Sequence, residues 1–273
     1  MAEVVDWDDF DYEEPALDRE PDEYEVSARN TLEEFFETNP NCVFFGNQLA
    51  VRNEDKFFHW ITYRAIADLI DAGLIHTERR TMAIGSEIKL VWHRKNRYYK
   101  RDAKRVVQLV DEYGSPNICA AMGLHGEQMI LAGFARKQFV MRDHNTRRFG
   151  DRQWVDTEHN LDFIFERDGK AYGVEVKNTL SYMDRKEFET KIRLCETLGI
   201  APVFAVRMLP KTWTYELISR GGYAMIMKYQ LYPWTHVELA RRVARELGLP
   251  VDAPKALAEG TMNKFEAWHR KKL

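Results

Sequence analysis

One short stretch limits the possible folds of this chain more than any other. Residues 160–178 read NLDFIFERDGKAYGVEVKN, two runs rich in β-branched and aromatic residues on either side of Asp168-Gly169. Asp-Gly between such runs is a strong signal for a two-residue hairpin, because both central residues can take positive φ. With Asp168 and Gly169 as the loop, Arg167 faces Lys170, Phe165 faces Tyr172, Phe163 faces Val174 and Asp162 faces Glu175. Directly opposed residues have Cβ atoms roughly 4.5–5.5 Å apart, where two carboxylates repel unless a cation lies between them. Hard divalent ions such as Mg²⁺ favour such an oxygen-rich setting. Lys177, two residues after Glu175, projects from the same face. The apolar residues Phe163, Phe165, Tyr172, Val174 and Val176 are expected in a core. The alternative is an ordinary half-exposed strand with a polar face.

A third carboxylate comes from a helix. Ser115-Pro116 is a helix start, and the helix is expected to reach Ala132 and stop at Gly133. On it Glu127 shares a face with Leu124, Ile130 and Leu131. An acid in an apolar stripe needs a partner such as a metal or Lys177. Downstream, Asp184 caps a helix carrying Phe188, Ile192 and Cys195 on one face. Residues 202–206 read as a buried strand, 212–220 as a short helix and 223–228 as a strand. Helices alternating with strands after a hairpin give an α/β sheet with helices on both faces.

Helix with Glu127, strand, hairpin with Asp162 and Glu175-Val176-Lys177, then helix, strand, helix and strand: this order, over about residues 112–232, resembles the PD-(D/E)xK nuclease superfamily. Leu161 stands where the motif's nominal proline would be. The resemblance implies a restriction-endonuclease-like mixed sheet flanked by helices and a Mg²⁺-dependent (or Mn²⁺-dependent) endodeoxyribonuclease acting in DNA repair, recombination or defence. It implies that Asp162, Glu175 and the Val176 carbonyl coordinate metal, that Glu127 completes the shell or holds a metal-bound water, and that Lys177 orients the attacking water. Glu127, Asp162, Glu175 and Lys177 are thus the implied catalytic residues. A homodimer is the family-level expectation, because two symmetric sites are needed to cut two strands together. Lys191 lies on the following helix, where the resemblance places an additional polar catalytic residue in some members, but by itself it reads as an ordinary surface lysine. His125, His144 and His159 lack the i, i+4 spacing of a zinc helix and read as structural or surface residues. No Gly-x-x-x-x-Gly-Lys loop exists, so no nucleotide cofactor is indicated.

Upstream, residues 57–72 place Phe58, Ile61, Ala65, Leu69 and Ala72 at helical spacing, with Gly73 as the stop. A short helix capped at Asn30 or Thr31 precedes it. Residues 74–82 and 88–94 read as strands around a turn at 84–87. Helices followed by a two-stranded wing resemble a winged helix, a fold that lays one helix in the DNA major groove and also serves as a protein–protein module. From Lys89 to Arg105 eight cations face one acid, Asp102, with Trp92, Tyr98 and Tyr99 interleaved. Cations neutralise phosphates and aromatics stack on bases, although such a run can also be a solvated face. Arg64, Arg79, Arg80, Arg94, Lys95, Arg97, Arg147 and Arg148 are the candidate DNA contacts. Residues 142–160 are expected to be a long polar loop.

The chain of 273 residues has a formal charge of −3, which hides an asymmetry. Residues 1–30 carry −10 and the remainder +7. The expected organisation is an acidic, disordered leader (1–30), a winged-helix-like domain (31–97), the nuclease-like domain (98–232) and a C-terminal helical extension with a basic tail (233–273), its helix running from about Thr235 to Leu247 and its tail, Trp268 to Lys272, being either disordered or DNA-binding. The leader could also fold back on the basic surface. Three distant cysteines suit a reducing, cytoplasmic setting, and no apolar run is long enough for a membrane helix. Two other readings remain open: a DNA-binding regulator with an inactive nuclease-like domain, and an RNA-processing nuclease.

Overall fold

The computed structural model describes residues 20–273, so most of the acidic leader lies outside the described residues. The described residues divide into two compact units: residues 20–119 with 241–249, and residues 120–240 with 250–273.

The first unit opens with α1 (Glu23–Thr38), longer than expected and starting inside the supposed leader. Its true cap is Asp22, whose carboxylate accepts from Glu25 N while the Glu25 carboxylate accepts from Asp22 N, a reciprocal capping box. Ala28, Leu32 and Phe36, one turn apart, bury the inner face. Strand β1 (Val43–Phe45) and helix α2 (Gly46–Arg52) follow, neither of them expected. Helix α3 (His59–Asp71) buries Ile61, Ala65 and Leu69 as its periodicity requires, and Gly73 follows it at φ +66°. Strands β2 (Ile75–Thr81) and β3 (Glu87–His93) form the hairpin, with Thr81 paired to Glu87, so the turn is one residue earlier than expected. The sheet order is β1-β3-β2, all antiparallel. Helix α4 (Tyr99–Tyr113) packs on β1 and β3 and belongs to this unit, not to the second domain where the sequence placed it. The 241–249 segment also belongs here, with Gln48 Nε2 donating to the Leu247 carbonyl at 2.7 Å.

The second unit takes in most of α5 (Pro116–Arg136) and contains a mixed five-stranded sheet ordered β10-β9-β8-β7-β4. The strands are β4 (Val140–Thr146), β7 (Leu161–Arg167), β8 (Lys170–Lys177), β9 (Ala201–Val206) and β10 (Tyr223–Ile226). β4, β7 and β8 are antiparallel neighbours, whereas β8, β9 and β10 run parallel. The Asp168-Gly169 hairpin has the expected register, with Arg167 opposite Lys170 and Phe163 opposite Val174, and both loop residues have positive φ. Helices α6 (Arg185–Leu198) and α7 (Lys211–Ser219) follow the order read from sequence. Their Phe188, Ile192, Leu194, Cys195 and Leu217 pack with Leu161, Ile164, Phe204 and Val206. On the other face α5 contributes Met129, Ile130 and Phe134, which pack with Phe163, Phe165, Tyr172 and Val174.

Three expectations are corrected here. Gly133 does not stop α5. It lies inside the helix, where a Cβ would come within 3.0 Å of Leu257 and Met262. The 142–160 stretch is not one loop. β4 continues to Thr146, and β5 (Arg148–Phe149) pairs with β6 (Arg152–Gln153) to set Trp154 into the core. The C-terminal tail is helical and buried on one side. After α8 (Val237–Leu247) and the short pairing of β11 (Gln230–Leu231) with β12 (Val251–Asp252), α9 (Glu259–Arg270) inserts Met262 and Phe265 into the sheet's core. Among the described residues no helix is long and apolar enough to cross a membrane.

Candidate functional site

The candidate residues meet on one side of the second unit, where β7 and β8 splay apart. The regular β7–β8 ladder ends at Phe163–Val174. Asp162 therefore does not face Glu175 in a ladder pair, as the hairpin arithmetic expects. β8 instead continues along β9, with Glu175 opposite Phe204 and Lys177 opposite Val206. The Asp162 carboxylate accepts from Val176 N at 2.7 Å. That bond fixes Asp162 beside β8 and gives the amide an acceptor where the ladder has ended.

Glu175 is buried. Burial first, and then the Asp162 charge, push its carboxyl up to about 8. The ammonium of Lys191 opposes that rise, at 2.7 Å from Glu175 Oε2, and it also donates to the Asn160 carbonyl. Lys191 is itself buried, so its reading as a surface lysine is wrong. The amphipathic turn of α6 that brings Ile192 and Cys195 to the sheet carries Lys191 inward with them.

Lys177 is half-buried and donates to Glu187 on the first turn of α6, with Nζ–Oε2 at 3.2 Å. Glu187 is absent from the sequence reading. Its only local signal is its place three residues after Asp184, which caps α6 through Lys186 N and Glu187 N. Glu127 is half-buried on α5, and its carboxyl is raised by burial and then by the charge of Asp162. Asp162 is raised in turn, chiefly by burial, against the lowering effects of the Val176 amide and both lysines. The neighbouring Gly126 explains how α5 comes so near, since a Cβ there would lie 2.8 Å from that of Asn178. Asn178 is buried, and its amide bonds the Met122 carbonyl and both backbone groups of Leu231.

Counted formally, Glu127, Asp162, Glu175 and Glu187 bring four negative charges to this region, and Lys177 and Lys191 bring two positive ones. Three of the four carboxyls are raised. A surplus of two negative charges in a partly dry setting calls for protons or a divalent cation. The donors are all hard oxygens, the chemistry Mg²⁺ and Mn²⁺ prefer. Among the described residues, however, no three His, Cys, Asp or Glu side chains are grouped closely enough to hold one ion. In donor type and charge the carboxylates match a divalent ion. His144 and His159 are exposed, and His159 Nδ1 lies 2.9 Å from Thr157 Oγ1, so neither adds to the carboxylates.

The candidate nucleic-acid contacts fall into two groups. Arg64 is committed to Glu25 and stacks over Trp60, with its guanidinium 4.6 Å from the ring centre. Arg79 pairs with Glu87, Arg80 with Glu78 and Arg147 with Glu158. Arg94, Lys95 and Arg97 are exposed between β3 and α4, and Arg148 is exposed on β5. No protein-family model, curated protein or solved structure matches the chain.

Proposed function

We propose that the second unit is a metal-dependent phosphodiesterase acting on nucleic acid, with DNA as the first expected substrate, built on a PD-(D/E)xK-like sheet. The observation that carries this reading is the convergence of Glu127, Asp162 and Glu175 beside Lys177 with more negative than positive charge. Asp162 and Glu175, with Glu127 and the Val176 carbonyl, are the groups that would hold Mg²⁺. The ion would supply an activated water and neutralise charge on the scissile phosphate. Lys177, steered by Glu187, orients the attacking water and meets the negative charge that grows on the phosphoryl oxygens. Lys191 keeps Glu175 ionisable in a buried position. The first unit, in which α3 precedes the β2–β3 hairpin and exposed Arg94, Lys95 and Arg97 follow it, is read as a winged-helix-like module that contacts nucleic acid.

A second reading has a specific basis. The Lys191–Glu175 and Lys177–Glu187 ion pairs already occupy the four charged groups. The network could then be structural, within a nuclease-like domain that binds DNA without cutting it. The deciding experiment incubates the protein with supercoiled, linear, branched and single-stranded DNA, and with RNA, with and without Mg²⁺. Mg²⁺-dependent cleavage is expected, reduced at least ~100-fold by Asp162→Asn and by Lys177→Ala. Both variants should still bind DNA, because the amide oxygen introduced by Asp162→Asn can still accept from Val176 N and Lys177→Ala leaves the exposed cations in place. Cleavage of RNA alone would make the protein an RNA nuclease. Absence of cleavage across the panel would leave the structural reading, whereas cleavage by variants as active as wild type would remove Asp162 and Lys177 from the catalytic site.

A further inference from the structure

The segment joining β3 to α4, together with the first two turns of α4, combines two properties that the sequence shows only as an alternation. Its seven cations (Arg94, Lys95, Arg97, Lys100, Arg101, Lys104 and Arg105) are all exposed. Four of them lie on α4 at i, i+1, i+4 and i+5, opposite the buried Ala103, Val106 and Val110. They therefore form one stripe along the helix. The acid among them, Asp102, lies 3.9 and 3.8 Å from Arg101 and Arg105 and neutralises little of the stripe.

The three interleaved aromatics have separate fates. Trp92 is buried and stacks on Tyr99, with ring centres 3.9 Å apart and planes 8° from parallel. The Tyr99 hydroxyl is further engaged by Glu78. Both rings thus serve the fold. Tyr98 is 88% exposed. Its backbone N is fixed by Asn96 Oδ1 at 3.2 Å, at the cap position of α4. A ring of this size left in water on a well-anchored backbone forfeits burial that its neighbours obtain. It stands between Arg97 and Lys100, where a polyanion would be held.

We infer that this surface binds a polynucleotide strand with unpaired bases, its phosphates lying along the α4 cations and one base stacking on Tyr98. A duplex satisfies the cations equally well, but its bases are already stacked on each other and offer the ring no open face. An acidic peptide would satisfy the cations and leave the ring without a role. The inference goes beyond the hydrolytic reading and concerns the first unit alone, so it does not depend on catalysis.

The test is a binding titration by fluorescence anisotropy, using the full chain in EDTA so that no cleavage intervenes. The probes are a 20-mer of deoxyuridine, a 20-mer of uridine and a 20-base-pair DNA duplex, with polyglutamate as competitor. At least one single strand should bind more tightly than the duplex, and the tighter of the two identifies the sugar. Tyr98→Ala should weaken single-strand binding about tenfold and change duplex binding less than twofold, and Tyr98→Trp should restore it. Lys100→Ala with Lys104→Ala and Arg105→Ala should weaken both and lower the single-strand salt slope by about two units. Equal losses on single strand and duplex in Tyr98→Ala, no loss on either, a wild-type preference for duplex, or competition by polyglutamate as strong as by unlabelled oligonucleotide would each overturn the inference.

Discussion

Glu175 shows how function and stability oppose each other at a single side chain. Its carboxyl lies near 4.5 when solvated and is pushed up to about 8 in the fold. A carboxyl raised on folding keeps its proton longer in the native state. The native state therefore loses stability as pH rises from about 4.5 to about 8, and the loss is complete above that. The full shift corresponds to at most about 5 kcal/mol. Glu175→Gln removes the ionisation while leaving an acceptor for Lys191. It should raise the melting temperature by several degrees at about pH 8, raise it far less at about pH 5, and abolish Mg²⁺-dependent cleavage. Thermal denaturation at the two pH values is the measurement, and an equal difference at both would mean that Glu175 does not carry the shift. The site was only partly legible at this scale. Asp162, Glu175 and Lys177 lie on one strongly marked hairpin, so their proximity follows from local pattern. Lys191 and Glu187 lie on α6, and their approach depends on how that helix rolls onto the sheet, which hydrophobic spacing fixes only to within a face.

Among the elements, the hairpin, α3, α6 and β9 were legible because each carries its own signal: Asp-Gly, a 3.6-residue stripe, an Asp cap and a continuous apolar run. β1 was missed because three residues give no period to read, and its pairing with β3 is non-local. α9 was missed because Met262 and Phe265 sit among polar and charged residues, and only the sheet shows that they have a core to enter. Close packing of α5 was half legible: Gly133 reads as a stop, yet both it and Gly126 are points of near contact inside the helix. Gly126 makes the positional argument testable. A valine there meets Asn178, which must move or push α5 outward and carry Glu127 away from Asp162. Gly126→Val should cost about 1–3 kcal/mol of stability in urea denaturation and reduce cleavage more than binding. A variant as active as wild type would mean that Asn178 gives way and α5 keeps its place.

For the molecule as a whole, charge is the property that spans the sequence. Residues 1–19 carry eight acids and one base, so the rest of the chain has a formal charge of +4. Removing 1–19 leaves the Asp22 capping box intact. The truncated protein should bind nucleic acid more tightly at low salt. The gain should shrink as the Debye length falls from about 10 Å at 0.1 M towards about 3 Å at 1 M. Titrations of both proteins across that range decide it, and identical curves would make the segment electrostatically inert towards the ligand. The discontinuity of the first unit has a different consequence, in time rather than in space. Its residues 241–249 are made only after residues 120–240 of the second unit. At about 5–20 residues per second, the 121 residues between take roughly 6–24 s to synthesise. During that interval Gln48 has no Leu247 carbonyl to bond. The part made first is therefore the part completed late, and a nascent chain must carry an unfinished N-terminal half while the sheet behind it is being made.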